Sequence, residues 1–309
     1  MAASTKKVIY AALIGNVLIA LTKFVAGAVT GSSAMFSEGI HSVVDVGNQV
    51  LLLFGLKQAR RPASDVHPFG HGKEIYFWGF VVAILIFAVG AGFAIYEGIH
   101  HLQHPGHLTN VVVNYIVLGV AILFELGSFT VAIREFSKVK GKVSTWQAVR
   151  RGKDPTLFIV LFEDTAALAG LVVALLGVFL GHVTGSPVFD GGASIAIGLV
   201  LAGTAMWLAY ETKGLLIGEA ADPAVVSAIR EMACAQPGVM CVNEVLTLHM
   251  GPEFVLVNLT LDFADDLGAA TIENAIAALD ARIREAFPVV KRVFVAADTR
   301  SVPAPPPLA

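Results

Sequence analysis

Residues 34–48 read Ala34-Met35-Phe36-Ser37-Glu38-Gly39-Ile40-His41-Ser42-Val43-Val44-Asp45-Val46-Gly47-Asn48, and Gln49-Val50-Leu51-Leu52-Leu53-Phe54 carries the apolar character onward. The stretch is long enough to cross a bilayer as a helix, yet it holds an imidazole and two carboxylates. An ionisable group in hydrocarbon costs a few kcal/mol at least, so it persists where it faces a bundle interior, a partner or an ion path. His41 and Asp45 are one helical turn apart and project from one face, with Glu38 and Asn48 extending the polar stripe to either side. Nitrogen together with carboxylate oxygen is the ligand mix of a borderline divalent cation, zinc above all.

Working outward, apolar runs fall near 8–30, 34–56, 77–99, 111–133, 157–180 and 189–210, about six stretches that each suit a transmembrane helix. The bulk composition agrees: 56% hydrophobic and 15% charged residues, with a mean hydropathy of +0.73, mark an integral membrane protein embedded among lipids. Basic residues alternate between connections. Lys6 and Lys7 precede the first run; Lys57, Arg60, Arg61 and Lys73 lie between the second and third; Arg134, Lys138, Lys140, Lys142, Arg150, Arg151 and Lys153 lie between the fourth and fifth. Segments 30–33, 100–110 and 182–188 have neither Lys nor Arg. This positive-inside pattern predicts both termini in the cytoplasm, most simply of a bacterial inner (plasma) membrane. The first run, lacking a small-residue cleavage site, is expected to be a retained span.

Two charges sit inside apolar runs. Lys23 must snorkel outward or pair with an acid such as Glu38 or Asp190, and Glu125 is either structural or part of a proton route. A second acidic element, Glu163-Asp164, opens the fifth run. Adjacent residues diverge by about 100° on a helix, so one of the two is expected to join His41 and Asp45 while the other pairs or takes a proton. Gly90–Gly92 and Gly191-Gly192 are expected to allow close helix packing.

After Lys213 the pattern becomes that of a small α+β domain. Asp222-Pro223 predicts a helix start and Gly238 its close. Strands are expected near 242–250 and 254–263, the second alternating Val255, Val257, Leu259, Leu261 and Phe263 with polar residues. A helix over 271–286 places Ile272, Ile276, Leu279 and Ile283 on one face, and 291–296 reads as a last strand. The order αββαβ implies a two-layer domain, whose expected uses are dimerisation, hence a homodimer, and metal sensing. The expected domains are 1–213 as the transmembrane domain, 214–300 as the cytoplasmic unit and 301–309 as a disordered tail. Cys234 and Cys241 form no C-x-x-C pair and are expected to be reduced packing residues.

The run Gly31-Ser-Ser-Ala-Met-Phe-Ser-Glu38-Gly-Ile-His41-Ser-Val-Val-Asp45, followed by His67-Pro-Phe-Gly-His71-Gly-Lys73-Glu74, resembles the cation diffusion facilitator family of metal–proton antiporters. The resemblance covers about residues 8–300 and implies about six spans plus a ferredoxin-like cytoplasmic domain. It also implies a tetrahedral transport site, carried here by His41, Asp45 and Asp164. The fourth position holds Val160, four residues before Asp164, so Glu163, Asn48, Glu38 or a water would complete the shell. The wording around Phe162-Glu-Asp-Thr-Ala-Ala-Leu168 resembles the branch that includes mammalian zinc transporter nine.

Asp65, His67 and His71 resemble the family's second zinc site, in the cytoplasmic loop. In the C-terminal domain Asn258 and Ala296 stand where ligands would be expected, leaving only His249 and Asp298. The segment His100-His101-Leu-Gln-His104-Pro-Gly-His107 holds four of the nine histidines and is either a metal-binding patch or a polar loop.

The function these residues imply is efflux of Zn²⁺ in exchange for protons by alternating access, with Mn²⁺, Fe²⁺, Co²⁺ or Cd²⁺ as alternative substrates. No cofactor is expected beyond the transported metal. An intramembrane metalloenzyme is disfavoured because no H-E-x-x-H occurs, the exchange is expected to run without an ATP site since no Walker A sequence is present, and no basic helix supports nucleic-acid binding. A non-transporting metal receptor is the rival of a different class.

Overall fold

The structure is a computed structural model that describes residues 2–104, 110–140 and 155–298. The predicted tail, His107 and the basic residues of 141–154 lie outside them. The described residues divide into two compact units, 1–58 with 74–213, and 59–73 with 214–309. The second unit thus takes in the histidine-bearing segment 59–73, which the sequence reading placed with the membrane domain.

The first unit is a helical bundle of α1 (Ala2–Thr30), α2 (Ser33–Ala59), α3 (Glu74–Gln103), α4 (Val111–Lys140), α5 (Pro155–Thr184) and α6 (Val188–Ile217). Five of these, α2 to α6, contain described stretches long and apolar enough to cross a membrane, and α1 adds the shorter apolar stretch Asn16–Thr30. Helix α3 carries a π-helical segment at Ile86–Ala91, a local widening that tends to mark functional or bending points.

The junction between α1 and α2 is set by Gly31-Ser32-Ser33. Gly31 adopts φ 70° and its N–H returns to the Gly27 carbonyl at 2.8 Å, a left-handed stop that only glycine adopts without strain. Ser32 then caps α2, its Oγ accepting from Met35 N at 3.2 Å. A second cap comes from another helix: Asp190, in the first turn of α6, accepts from Ser32 Oγ and from Ser33 N, both at 2.6 Å. A carboxylate there answers both the free amide donors and the positive end of the helix dipole. The helix that carries His41 and Asp45 is thereby fixed at its first residue.

Glycine packing is more selective than expected. A Cβ on Gly90 or Gly92 would meet only ordinary contacts and one on Gly192 would meet nothing, whereas at Gly191 it would press on Leu102 of α3. Close approach of α3 and α6 therefore rests on Gly98, Gly191 and Gly198.

The second unit holds α7 (Pro223–Cys234), β1 (Val239–Gly251), β2 (Phe254–Phe263), α8 (Ala269–Ala286) and β3 (Val290–Ala297). Its order is the expected αββαβ. Asp222 caps α7 by accepting from Ala224 N at 2.9 Å. The helix ends at Cys234, before Gly238, which instead turns the chain into β1 with φ 85°.

The sheet order is β1-β2-β3, antiparallel and then parallel. The alternation of β2 buries Val255, Val257, Leu259 and Leu261 against Ile229, Leu279 and Ile283 of the two helices, with Ile272 and Ile276 partly buried beside them. Both cysteines are exposed, so they are not the packing residues expected of them.

Candidate metal transport site

One face of α2 is a continuous buried polar row: Ser37, Glu38, His41, Ser42, Asp45 and Asn48. Its i, i+3, i+4 spacing keeps these side chains on a single stripe. At its centre His41 Nδ1 lies 3.4 Å from Asp45 Oδ1, too long for a firm hydrogen bond. Among the described residues, neither ring nitrogen of His41 finds a hydrogen-bond partner, and Glu38 Oε1, Asp45 Oδ1 and Asn48 Oδ1 are equally unmatched. An orphaned buried polar group costs about 1–3 kcal/mol. A row of orphaned acceptors on one helix is what a cation would satisfy.

Helix α5 supplies the facing acids. Pro155 opens it, in a first helical position that suits proline. Glu163 accepts from Asn48 Nδ2 at 2.6 Å and so ties α5 to α2. Asp164 turns toward α4, where Ser128 Oγ donates to it at 3.1 Å. The divergence expected of neighbouring helical residues is realised. The acidic neighbours of Asp45 are Glu125, Glu163 and Asp164, and its cationic neighbour is Lys23. Among the described residues, however, no three His, Cys, Asp or Glu side chains converge closely enough to hold a metal ion. His41 and Asp45 are together, and Asp164 points elsewhere.

Lys23 resolves as an internal cation. Its Nζ lies 3.0 Å from Glu38 Oε2 and donates to Ser42 Oγ at 2.9 Å, with Lys23 and Glu38 fully buried. Glu38 is therefore engaged on one oxygen, while the other faces Gly170 of α5, where a Cβ would overlap it. Of the two acids expected for Lys23, the partner is Glu38; Asp190 caps α2 instead.

The remaining predicted residues separate. His67 and His71 have ring centroids 4.3 Å apart, held by a turn in which Ser64 N donates to the His67 carbonyl at 3.1 Å. Asp65, two residues before His67 in sequence, is exposed. His249 and Asp298 do not share a site. His249 pairs with Val255 at one end of β2, while Asp298 follows β3 and its N–H bonds to Leu261. Six residues of strand separate those positions, roughly 20 Å at about 3.3 Å per residue.

The sequence reading missed Ser128 as the partner of Asp164, Ser42 as the second acceptor for Lys23, and the Gly170 notch. A serine or glycine in an apolar helix carries no pattern that distinguishes such roles from packing. Asp190 capping α2 could have been suspected, since an acid at the start of one helix and Ser-Ser at the start of another are both capping signals.

Residues 9–217 match the cation efflux transmembrane domain. The mitochondrial proton-coupled zinc antiporter SLC30A9 of Xenopus laevis is 34% identical over 260 residues, which cover 83% of this chain and 46% of that protein. Its human counterpart is 31% identical over the same length and coverage. The chain thus spans about half the length of these relatives. An uncharacterized transporter of Methanocaldococcus jannaschii is 24% identical over 303 residues, with 95% and 98% of the two chains covered.

Proposed function

The chain belongs to the cation efflux family, and from that premise we propose that it exports a divalent metal cation, Zn²⁺ first, in exchange for protons by alternating access. The observation that carries this reading is the row of orphaned buried acceptors on α2 around His41 and Asp45. The names of the zinc antiporters it resembles point the same way.

His41 and Asp45 hold the cation from α2, and Asp164 closes on it from α5 after leaving Ser128. Glu163, Asn48 and Glu38 line the same seam and serve as fourth ligand or proton carrier. Imidazole and carboxylate must shed their protons to ligate, so metal and protons compete for the same atoms. Loading from the cytoplasm releases protons there. When the site opens to the other face, protons from that side reoccupy the ligands and free the metal. The competition couples the two fluxes without ATP.

Val160 supports a second reading. With no nitrogen or sulfur donor at that position, oxygen ligands from Glu163 or Asn48 complete the shell, and an oxygen-rich site favours Mn²⁺, Fe²⁺ or Co²⁺ over Zn²⁺. The basic residues of the connections favour both termini in the cytoplasm of a bacterial inner membrane. The C-terminal unit serves a homodimer, with exposed Met240, Leu246 and Phe294 as apolar surface for the second copy. Asp65, His67 and His71 form an accessory metal site, and His249 without Asp298 does not.

The test is proton flux in proteoliposomes driven by Zn²⁺, Mn²⁺, Fe²⁺, Co²⁺ or Cd²⁺, with Asp45→Ala and Asp164→Ala beside the parent. Flux lost in both variants supports one shared site, and the ranking of metals identifies the substrate. Folded protein with no flux for any metal overturns antiport in favour of a receptor. Flux that survives both substitutions places the site elsewhere.

A further inference from the structure

The histidines of 100–104 divide into two kinds. His101 is buried and faces α6, with its Nε2 3.8 Å from Asp190 Oδ2. His100 and His104 are exposed. His100 lies in the last turn of α3, and His104 is the residue that follows its end, with φ −126° and ψ 67°; the His104 N–H bonds to the His100 carbonyl at 2.9 Å, which ties the two backbones together. Their ring centroids are 4.8 Å apart and their planes 33° apart. Tyr96, a turn earlier, stacks on His100 with centroids 6.1 Å apart and planes 21° apart. One exposed ridge therefore reads Tyr96, His100, His104.

We propose that His100 and His104 together form a bidentate dihistidine site for a borderline divalent cation of the Zn²⁺, Cu²⁺ and Ni²⁺ class. With their ring centroids 4.8 Å apart, the two imidazoles can offer adjacent coordination positions to one ion, with water completing the shell. Imidazole suits these metals, and the Irving–Williams order places Cu²⁺ highest among them. The backbone bond within the turn and the Tyr96 stack limit what must be ordered on binding. The site uses no residue of the α2–α5 seam. It also explains why the four-histidine tract is not uniform: the inward His101 belongs to the α6 contact, and the outward pair is free to ligate.

Binding itself does not rest on the transport reading. If that reading holds with the orientation given above, the ridge lies on the face where metal is released. It then acts as a waiting position for the exported ion.

The probe is Cu²⁺–nitrilotriacetate, a chelate with two positions left for a pair of imidazoles and too bulky for the buried seam. The full chain in detergent carries His67→Ala and His71→Ala, which removes the other pair at this spacing. Titration is followed by electron paramagnetic resonance, whose nitrogen couplings count the imidazoles on copper. The expected result is saturable binding of one chelate per chain with two imidazoles coordinated. Affinity should fall at least about tenfold in His100→Gln and in His104→Gln, the scale seen even when an outer partner of a metal ligand is removed. Both positions are exposed, so both variants should fold, and near-parent melting checks this. Binding that is absent from the parent, unchanged in both variants, or lost in only one of them overturns the paired site.

Discussion

Lys23→Met is the perturbation with the clearest expected size. Lys23 and Glu38 are fully buried and 3.0 Å apart, with Ser42 as the second partner of the ammonium. The substitution keeps most of the side-chain volume and removes only the charge, leaving a carboxylate in the bundle with no cation. Breaking a buried pair from one side typically costs about 3–5 kcal/mol, whereas replacing both partners by neutral groups of similar shape is often near neutral. Glu38 Oε1 already lacks a partner among the described residues, so little reserve exists to absorb the loss. Lys23→Met should therefore destabilise the bundle by about 3 kcal/mol or more. Lys23→Met combined with Glu38→Gln should recover most of it, giving a coupling of at least about 2 kcal/mol in a double-mutant cycle. The assay is reversible denaturation by dodecyl sulfate in mixed micelles, followed by tryptophan fluorescence. A single variant within about 0.5 kcal/mol of the parent, or a coupling near zero, would refute the idea that this pair is a structural strut of the seam.

Other expectations follow from the same geometry. Ser128→Ala frees Asp164 from the hydrogen bond that holds it toward α4, and should tighten metal binding by up to about tenfold, since such a bond to a charged group is worth about 1.5 kcal/mol or more; weaker binding would mean that Ser128 positions Asp164 for the metal. Asp45→Asn should reduce the protons released per Zn²⁺ bound by as much as about one, as read by calorimetry in buffers of different ionisation enthalpy; an unchanged count removes Asp45 from the coupling. Metal affinity of the parent should fall as pH falls, because each ligand must be deprotonated to bind, and a pH-independent isotherm contradicts the competition. Asp190→Ala removes the second cap of α2 and should cost about 1–2 kcal/mol in the same denaturation assay.

The sequence was most informative where one physical constraint acts alone. Apolar length announces spans, and period-two alternation in 255–263 announces β2, because burial on one face leaves little freedom. Asp222-Pro223 announces a helix start for the same kind of reason: the capping chemistry is local. Element ends were less legible. Gly238 has the φ of a helix stop, yet the chain ends α7 four residues earlier, at Cys234, and spends that glycine on the turn into β1. Glycines in the spans were legible as small residues but not as contacts, since Gly90 and Gly191 differ only in what lies across from them.

The candidate site splits along the same line. That Glu38, His41, Asp45 and Asn48 share a stripe is a consequence of helical geometry and needs no partner helix to be known. Which acid meets which donor depends on the rotation of α5 and α4 about their axes, and apolar helices that are uniformly greasy carry almost no information about rotation. Glu163 and Asp164 illustrate the point: a divergence near 100° was legible, but not that Asn48 would take the first and Ser128 the second. The same rotation gives a reason for the incomplete ligand set. In the site proposed above, the α2 half has His41 beside Asp45 and the proposed α5 ligand, Asp164, is held by Ser128, so a turn of α5 about its axis would complete it. Because Glu163 and Asp164 diverge on one helix, such a turn would also carry Glu163 away from Asn48 and break the tie between the same two helices. Under the function proposed above, ligand closure and helix movement would be one event, the coupling that alternating access requires: metal binding would favour the conformation in which Asp164 has left Ser128, and protonation of Asp164 the other.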